Sequence, residues 1–268
     1  MNNNKTVYLI GNGPSLNEID VAALKNDITI SFNRAYIAYE DWGFDPTYYM
    51  IIDIRVLENI YEDVNRLITH SKIKRFFIRD VDGTEDWNHS CFSTREHIVK
   101  SDKVTFITTN ELIKGMKANV SFEDMGYFGD VSVCSLQVLY LLGYKRVLVL
   151  GCDANYEEKK LKGVKITGNE YVSSEDNDLN HFRPDYFGKG TVYSKPFGDG
   201  HFLAWIKMAI SLKNGLDFEV YSGSKNSRLT NRVFPFLTIK DFKMGVVRSW
   251  SLSRLYFERI ILKFSQLF

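Results

Sequence analysis

The feature that most constrains the fold is a repeated alternation of short apolar runs with segments of helical spacing. Thr6–Ile10 is an apolar run that closes on Gly11, after which Asn12, Gly13, Pro14 and Ser15 carry turn chemistry. Leu16, Ile19, Ala23 and Leu24 recur at helical intervals and predict a helix over residues 16–24. Strand, glycine turn and helix open a βαβ unit. The pattern repeats, with predicted strands at 28–32, 48–52, 75–78 and Val104–Ile107 and predicted helices at 34–40 and 56–69. Its clearest instance is 131–142, helical in spacing and stopped at Gly143, followed by the apolar run Arg146–Leu150 and then Gly151-Cys152-Asp153. Short buried strands alternating with helices predict an α/β fold: a single Rossmann-like, mostly parallel sheet with helices on both faces. Such sheets take ligands beyond the carboxyl ends of their strands. Residues 11–15, Asn33, Asp53 and 151–153 all fall at such ends.

Two stretches break the rhythm. Residues 155–200 are polar, rich in Gly, Asn, Asp and Lys, and show no long helix or strand pattern, so they read as a lid inserted in the domain. After them, 201–212 reads as a helix and 218–221 as a strand. Residues 246–268 set Trp250, Phe257, Ile261, Phe264 and Phe268 in one stripe, with Arg254, Arg259 and Lys263 against a single Glu258. That pattern predicts an amphipathic C-terminal helix resting on a membrane surface, with a core helix or a dimer contact as the other readings. The expected organisation is one domain over 1–245, carrying the 155–200 lid, and an amphipathic tail over 246–268.

With 268 residues, 44% hydrophobic and 25% charged, the chain has ample material for a core and does not read as disordered. A net charge of +1 gives no general attraction to nucleic acid. Cys91, Cys134 and Cys152 are an odd set without metal-ligand spacing, which suits a reducing cytoplasm; the last two lie in apolar segments and read as core residues. A buried-strand pattern by Thr6 leaves no room for a signal peptide, and no apolar run reaches the roughly 18 residues of a membrane span.

A glycine turn between strand and helix can set backbone N–H groups around a phosphate. Gly11 and Gly13 would admit the ligand, Ser15 could donate to a phosphate oxygen, and Asn12 could read a base or sugar. A tight turn without a ligand is the plainer alternative. No Gly-Lys-Ser or Gly-Lys-Thr follows, so this is not a Walker loop. Asp80-Val81-Asp82 has a spacing at which two carboxylates share a divalent cation, but the Gly83 that follows favours a solvated turn, and no metal or other cofactor is expected.

Gly11-Asn12-Gly13-Pro14-Ser15-Leu16 after a first strand resembles the opening of the bacterial sialyltransferases of glycosyltransferase family forty-two. It also resembles a wider group with that opening, which includes flagellin-modifying glycosyltransferases and an archaeal-type pterin diphosphokinase. The likeness continues in order through Ser31-Phe32-Asn33-Arg34, Leu142-Gly143-Tyr144-Lys145, Gly151-Cys152-Asp153 and Lys225-Asn226-Ser227-Arg228-Leu229. It implies a single-domain variant of the glycosyltransferase A fold and metal-independent, inverting transfer of a nonulosonic acid from a CMP donor to a surface-glycan acceptor. Lipopolysaccharide or capsule biosynthesis is the implied setting. By the same resemblance Asn12 and Asn33 would contact the nucleotide and its phosphate. Ser132 would meet the cytosine or ribose, Asp153 the ribose hydroxyls, and Tyr156 the departing phosphate. The family's Arg-x-Thr-Ser-Gly reads Phe128-Gly129-Asp130-Val131-Ser132 here, without the arginine, so a Kdo-like acid is as admissible as sialic acid.

The transfer needs a base for the acceptor hydroxyl, and histidine suits that task. His181 stands in Asn180-His181-Phe182-Arg183-Pro184-Asp185-Tyr186-Phe187-Gly188, and His201 heads the helix after the lid; His181 is preferred for its aromatic and basic setting. His70, His89 and His97 lack a comparable one. The expected partners are a CMP-sugar donor, a glycan or glycolipid acceptor and, through the tail, the inner face of the cytoplasmic membrane. A Mg²⁺-dependent diphosphokinase using ATP and a pterin-like alcohol, with Asp53 or Asp80 and Asp82 at the metal, is one alternative. A non-catalytic, nucleotide-responsive envelope assembly protein is another.

Overall fold

The computed structural model describes residues 6–84, 91–110, 120–127, 129–157, 162–168, 170–195, 198–213 and 216–265. Its centre is a seven-stranded parallel sheet of β1 (Thr6–Ile10), β2 (Thr29–Phe32), β3 (Tyr48–Ile51), β4 (Arg75–Arg79), β5 (Val104–Ile107), β8 (Arg146–Leu150) and β12 (Glu219–Ser222). The spatial order is β12-β8-β1-β2-β3-β4-β5. The chain grows outward from β1 on one side through β5, then returns to the other side with β8. The strand order therefore reverses between β1 and β8, and their carboxyl ends open a crevice there.

Alternation along each strand feeds two cores, one on each face. Val7 and Leu9 of β1, Met50 of β3 and Val147 and Val149 of β8 face α4 (Val131–Leu141) and α5 (Asp199–Lys213). Tyr8, Ile10, Tyr49, Ile51, Leu148 and Leu150 face the opposite way, toward α2 (Ile54–His70) and the short α1 (Tyr39–Trp42) and α6 (Ile239–Lys243). Burial on both faces is why these strands read as continuous apolar runs. Helix α2 covers an outer face and buries only one side, through Ile54, Leu57, Ile60, Val64 and Ile68. Helix α4 is enclosed all round, and its buried Gln137 uses both amide atoms on the backbone of Gly126 in the strand pair β6 (Thr109–Asn110) and β7 (Met125–Gly126).

Three local expectations are corrected. Residues 16–24 form no α-helix but two 3-10 turns, Pro14–Glu18 and Val21–Leu24, because Ile19 between them is extended. Residues 34–40 are likewise a 3-10 segment, Asn33–Ala38, running into α1. The insertion holds a three-stranded antiparallel sheet of β9 (Gly163–Thr167), β10 (Glu170–Ser173) and β11 (Val192–Ser194). It leans on α2 through Arg55 with Glu170 and through Asn59 Nδ2, which donates to the Val192 carbonyl at 2.6 Å.

The remaining helices are the single turn α3 (Thr94–His97) and α7 (Leu252–Ser265). Helix α7 lies on the body, with Leu255 and Leu262 buried and the buried Glu258 accepting from Arg232 at 2.6 and 3.1 Å. Trp250 packs on Phe234, whereas Phe257 and Ile261 face outward; the side chains of Lys263 and Phe264, and all of Phe268, His89 and Phe128, lie outside the described residues. No helix among the described residues is long and apolar enough to cross a membrane.

Candidate active site at the carboxyl ends of the strands

The glycine turn after β1 is closed on its own chain. Gly11 N–H donates to the Leu150 carbonyl and Gly13 N–H to the Gly151 carbonyl, each at 2.7 Å. Ser15 donates its N–H to one Asp153 carboxylate oxygen at 2.9 Å and its hydroxyl to the other. A Cβ on Gly11 would stand 2.4 Å from the Gly151 oxygen, and one on Gly13 would stand 2.5 Å from Asp153 Oδ2. The glycines thus let two strand ends cross in contact. The two amides expected to surround a phosphate are engaged within the protein, and the turn opens onto 3-10 geometry rather than an α-helix. Behind this crossing, Ser224 Oγ accepts from Gly151 N–H and Ser227 Oγ donates to the Cys152 carbonyl, both at 2.7 Å. The segments 11–16, 151–153 and 225–229 are therefore brought together.

The side chain of Asn12 in this turn, and the turn after β2, are less fully paired. Asn12 is 7% exposed, and its Nδ2 donates to the Phe32 carbonyl at 3.1 Å and the Tyr186 hydroxyl at 2.9 Å. A carbonyl accepts only, so the amide orientation is fixed and Oδ1 is the remaining acceptor; it is buried and has no partner. The same holds for Asn33 Oδ1 and for Arg34 Nε. Asn33 is held at φ 53°, in the left-handed region. Buried polar atoms are nearly always paired in a folded chain, so three orphans at the ends of β1 and β2 mark a place for polar ligand groups.

The two histidines meet at Tyr156. His181 Nδ1 lies 2.6 Å from Asp178 Oδ2, and Tyr156 Oη lies 2.5 Å from His181 Nε2. The His181 ring stacks on Tyr186 at 3.7 Å between centroids. Burial pushes the His181 pKa below the usual histidine value, although the Asp178 charge pulls the other way. Across Tyr156, His201 Nδ1 lies 3.0 Å from Asp130 Oδ2, and the Tyr156 and His201 rings are 5.8 Å apart. Asp130 also caps α4 by accepting from Ser132 and Val133 N–H and from the Ser132 hydroxyl. Burial acts to raise its pKa, but the hydrogen bond and charge of His201 with those caps hold it below the ordinary range. Burial also pushes the Tyr156 phenol well above its ordinary value, so it stays protonated.

The structure thus gathers Asn12, Asn33, Ser132, Asp153, Tyr156, His181 and His201 around the strand ends. Segment 178–187 is seated over them: Phe182 N–H donates to the Asn12 carbonyl and Arg183 Nη1 to the Ile37 carbonyl, both at 2.9 Å. His70 and His97 lie elsewhere, on α2 and α3. Asp80 is forked by Arg95 at 2.7 to 3.0 Å, and Asp82 Oδ1 accepts from Thr84 N–H and hydroxyl in a turn with Gly83 at φ 87°. Asp53 caps α2 through Val56 N–H. Cys134 and Cys152 are buried, and burial raises the Cys152 thiol pKa. Sequence reasoning missed Asp178, Asp130 as the His201 partner, and Tyr186. Their traces were present: an aspartate three residues before His181, and an aspartate at the helix-cap position before 131–142.

No protein-family model and no curated protein sequence matches the chain. Among solved structures, the monofunctional α-2,3-sialyltransferase Cst-I from Campylobacter jejuni aligns with 100% of this chain and 97% of its own, at 15% identity and TM-score 0.50. The sialyltransferase CstII of the same organism, solved with cytidine-5'-monophosphate, aligns over 87% of this chain and 84% of its own at 17% identity and TM-score 0.44. The MAf glycosyltransferase from Magnetospirillum magneticum AMB-1 aligns over 96% of this chain at 12% identity and TM-score 0.48, and this chain spans only 36% of that protein. With its parallel seven-stranded sheet and the Cst-I alignment running its whole length, the chain has the fold of a Campylobacter sialyltransferase.

Proposed function

We propose that the protein is a glycosyltransferase that moves a nonulosonic acid from a CMP donor to a glycan hydroxyl, with inversion and without a metal. The observation that carries this reading is the set of orphaned polar atoms, Asn12 Oδ1, Asn33 Oδ1 and Arg34 Nε, beside two aspartate-held histidines. Two acceptors suit hydroxyl or amino groups of a nucleotide and sugar, so Asn12 serves as an acceptor rather than as a phosphate donor. The acceptor hydroxyl attacks the anomeric carbon, its proton passes to a histidine, and the bond to the CMP phosphate breaks with its electron pair leaving on CMP.

His201 is the better base in this geometry. Its side chain is 22% exposed against 8% for His181, and His181 Nε2 already faces Tyr156. Asp130 fixes the His201 tautomer and stabilises the imidazolium, as a carboxylate on Nδ1 does in other histidine bases. Tyr156 is protonated and donates to Nε2 of His181, whose Nδ1–H is held by Asp178; it serves the departing phosphate by exchanging that acceptor for a phosphate oxygen.

Thermal shift with CMP, UDP, GDP and ATP, with and without Mg²⁺, tests the reading: CMP without metal should raise the melting temperature. A response confined to ATP with Mg²⁺ would favour a diphosphokinase. In a transfer assay, His201→Asn should lose turnover about a hundredfold or more with donor affinity unchanged. If His181→Asn alone shows that signature, the two histidines exchange roles.

We also propose that the protein acts in the cytoplasm at the inner membrane face, with the outer face of α7 as its contact. Tyr256, Phe257, Ile260 and Ile261 are exposed there, with Arg254 exposed beside them. Phe257→Asp should weaken sedimentation with anionic vesicles while leaving the melting temperature unchanged; unchanged sedimentation would remove this face from the proposal.

A further inference from the structure

Arg34 is a cation set into the candidate site without a counter-ion. Its Nε–H is buried and has no partner. Among the described residues its guanidinium makes no ion pair, and Asp185, a carboxylate that feels its charge, is already forked by Arg183 at 2.9 and 3.1 Å. Arg34 follows Asn33 at the carboxyl end of β2, where the backbone is held at φ 53° and the Asn33 amide oxygen is also orphaned. Its backbone N–H faces the Tyr186 hydroxyl, the group that joins Asn12 to the stacked His181–Tyr186 pair. Its charge reaches His181 and helps hold that ring neutral.

An arginine with a buried, unspent donor is costly to keep unless something completes it. Guanidinium donors form a planar fork that matches two oxygens of one acid group, and they pair with carboxylate and phosphate alike. Uncharged sugar hydroxyls do not call for a fixed positive charge. We propose that Arg34 binds an oxyanion of the ligand, either the carboxylate of an acidic sugar or the phosphate that joins it to the nucleotide. The inference rests on the glycosyltransferase reading for its ligand but on the orphaned donor for its chemistry.

The test compares wild type, Arg34→Lys and Arg34→Met by calorimetry with three probes: CMP, a non-transferable CMP-nonulosonate analogue, and inorganic pyrophosphate. Arg34→Met should weaken at least one oxyanion probe by about ten- to a hundredfold, because a charge-assisted bond is lost. Arg34→Lys should recover part of the loss, since it keeps the charge and not the fork. Loss confined to the sugar-nucleotide analogue assigns the carboxylate; equal loss with CMP assigns the phosphate. Unchanged affinity for every probe that wild type binds overturns the proposal. If wild type binds pyrophosphate but neither nucleotide, the CMP reading fails while Arg34 is still judged on pyrophosphate. Binding of none by wild type ends both. Ligand-free Arg34→Met should melt no lower than wild type, and a large drop would show that Arg34 serves the fold instead.

Discussion

The turns after β1 and β2 lie side by side at the same edge of the sheet, yet they are built in opposite ways. After β1, Gly11 and Gly13 donate to β8 and its following loop, and Ser15 is clamped by both oxygens of Asp153. After β2, Asn33 is held in the left-handed region, and Asn33 and Arg34 keep buried polar atoms without partners. The first turn is a structural crossing whose backbone amides and Ser15 are spent inside the protein, although it leaves the Asn12 amide oxygen orphaned. The second stores unfavourable backbone geometry and unmet hydrogen-bonding capacity, the signature of a place reserved for a ligand. Two of the three orphaned atoms at these strand ends thus fall at the turn with the plainer sequence, and the glycine-rich turn holds its neighbour in place.

The largest effect that would break this contrast comes from the first turn. Gly11→Ala sets a methyl 2.4 Å from a backbone oxygen and 2.5 Å from Cys152 Sγ, and neither strand end can give way without shifting the sheet. Urea unfolding should show a loss of about 3 kcal/mol, the upper end of the range for overpacked cores. A variant as stable as wild type would mean that the crossing is slack. Asp153→Ala follows. It leaves the Ser15 N–H and hydroxyl without their carboxylate and should cost about 1–3 kcal/mol, read the same way. A loss of ligand affinity with no change in stability would instead place Asp153 in the binding surface.

Asn33→Gly tests the other turn, and its sign should be reversed. Glycine adopts φ 53° freely, so the ligand-free protein should gain about 0.5 kcal/mol. The lost amide oxygen should weaken nucleotide binding by about three- to tenfold. A stabilised variant with full affinity would show that the strain has no role in binding.

The strands were legible because burial on both faces writes them as continuous apolar runs, and His181 stood out for the aromatic and basic residues around it in sequence, His201 for heading the helix after the insertion. The helix over 16–24 was not, since nothing in the spacing shows that Ile19 is extended. The small sheet of β9, β10 and β11 was hidden because its strands are short and leave Val164 and Ile166 exposed. At the site, Asn12 and Asn33 could be named, but not what they do. That depends on which amide atoms the fold has already used, as with the Phe32 carbonyl and Tyr186 hydroxyl that consume Asn12 Nδ2.

The smallest expected effect concerns the segment that covers both turns. His181 is neutral in the fold because burial, the largest influence, outweighs the opposing pull of Asp178 and holds its pKa below 6.5. The unfolded chain takes up a proton on this ring near pH 6.5, while the folded protein resists until lower pH. Between those two values the unfolded state binds more protons, so stability rises with pH and is lost as pH falls through the window. Below the folded value the loss levels off. Asp130, held below the ordinary carboxylate value of 3.8, loses its own contribution only as pH falls beneath that value, outside the pH range of the urea measurements. Urea midpoints from pH 7.5 to 5.0 at fixed ionic strength should decline for wild type and decline less for His181→Gln. Stability that instead increased toward pH 5 would mean that Asp178 dominates, that His181 is charged in the fold, and that the neutral ring over Asn12 and Arg34 is the wrong description of the cover.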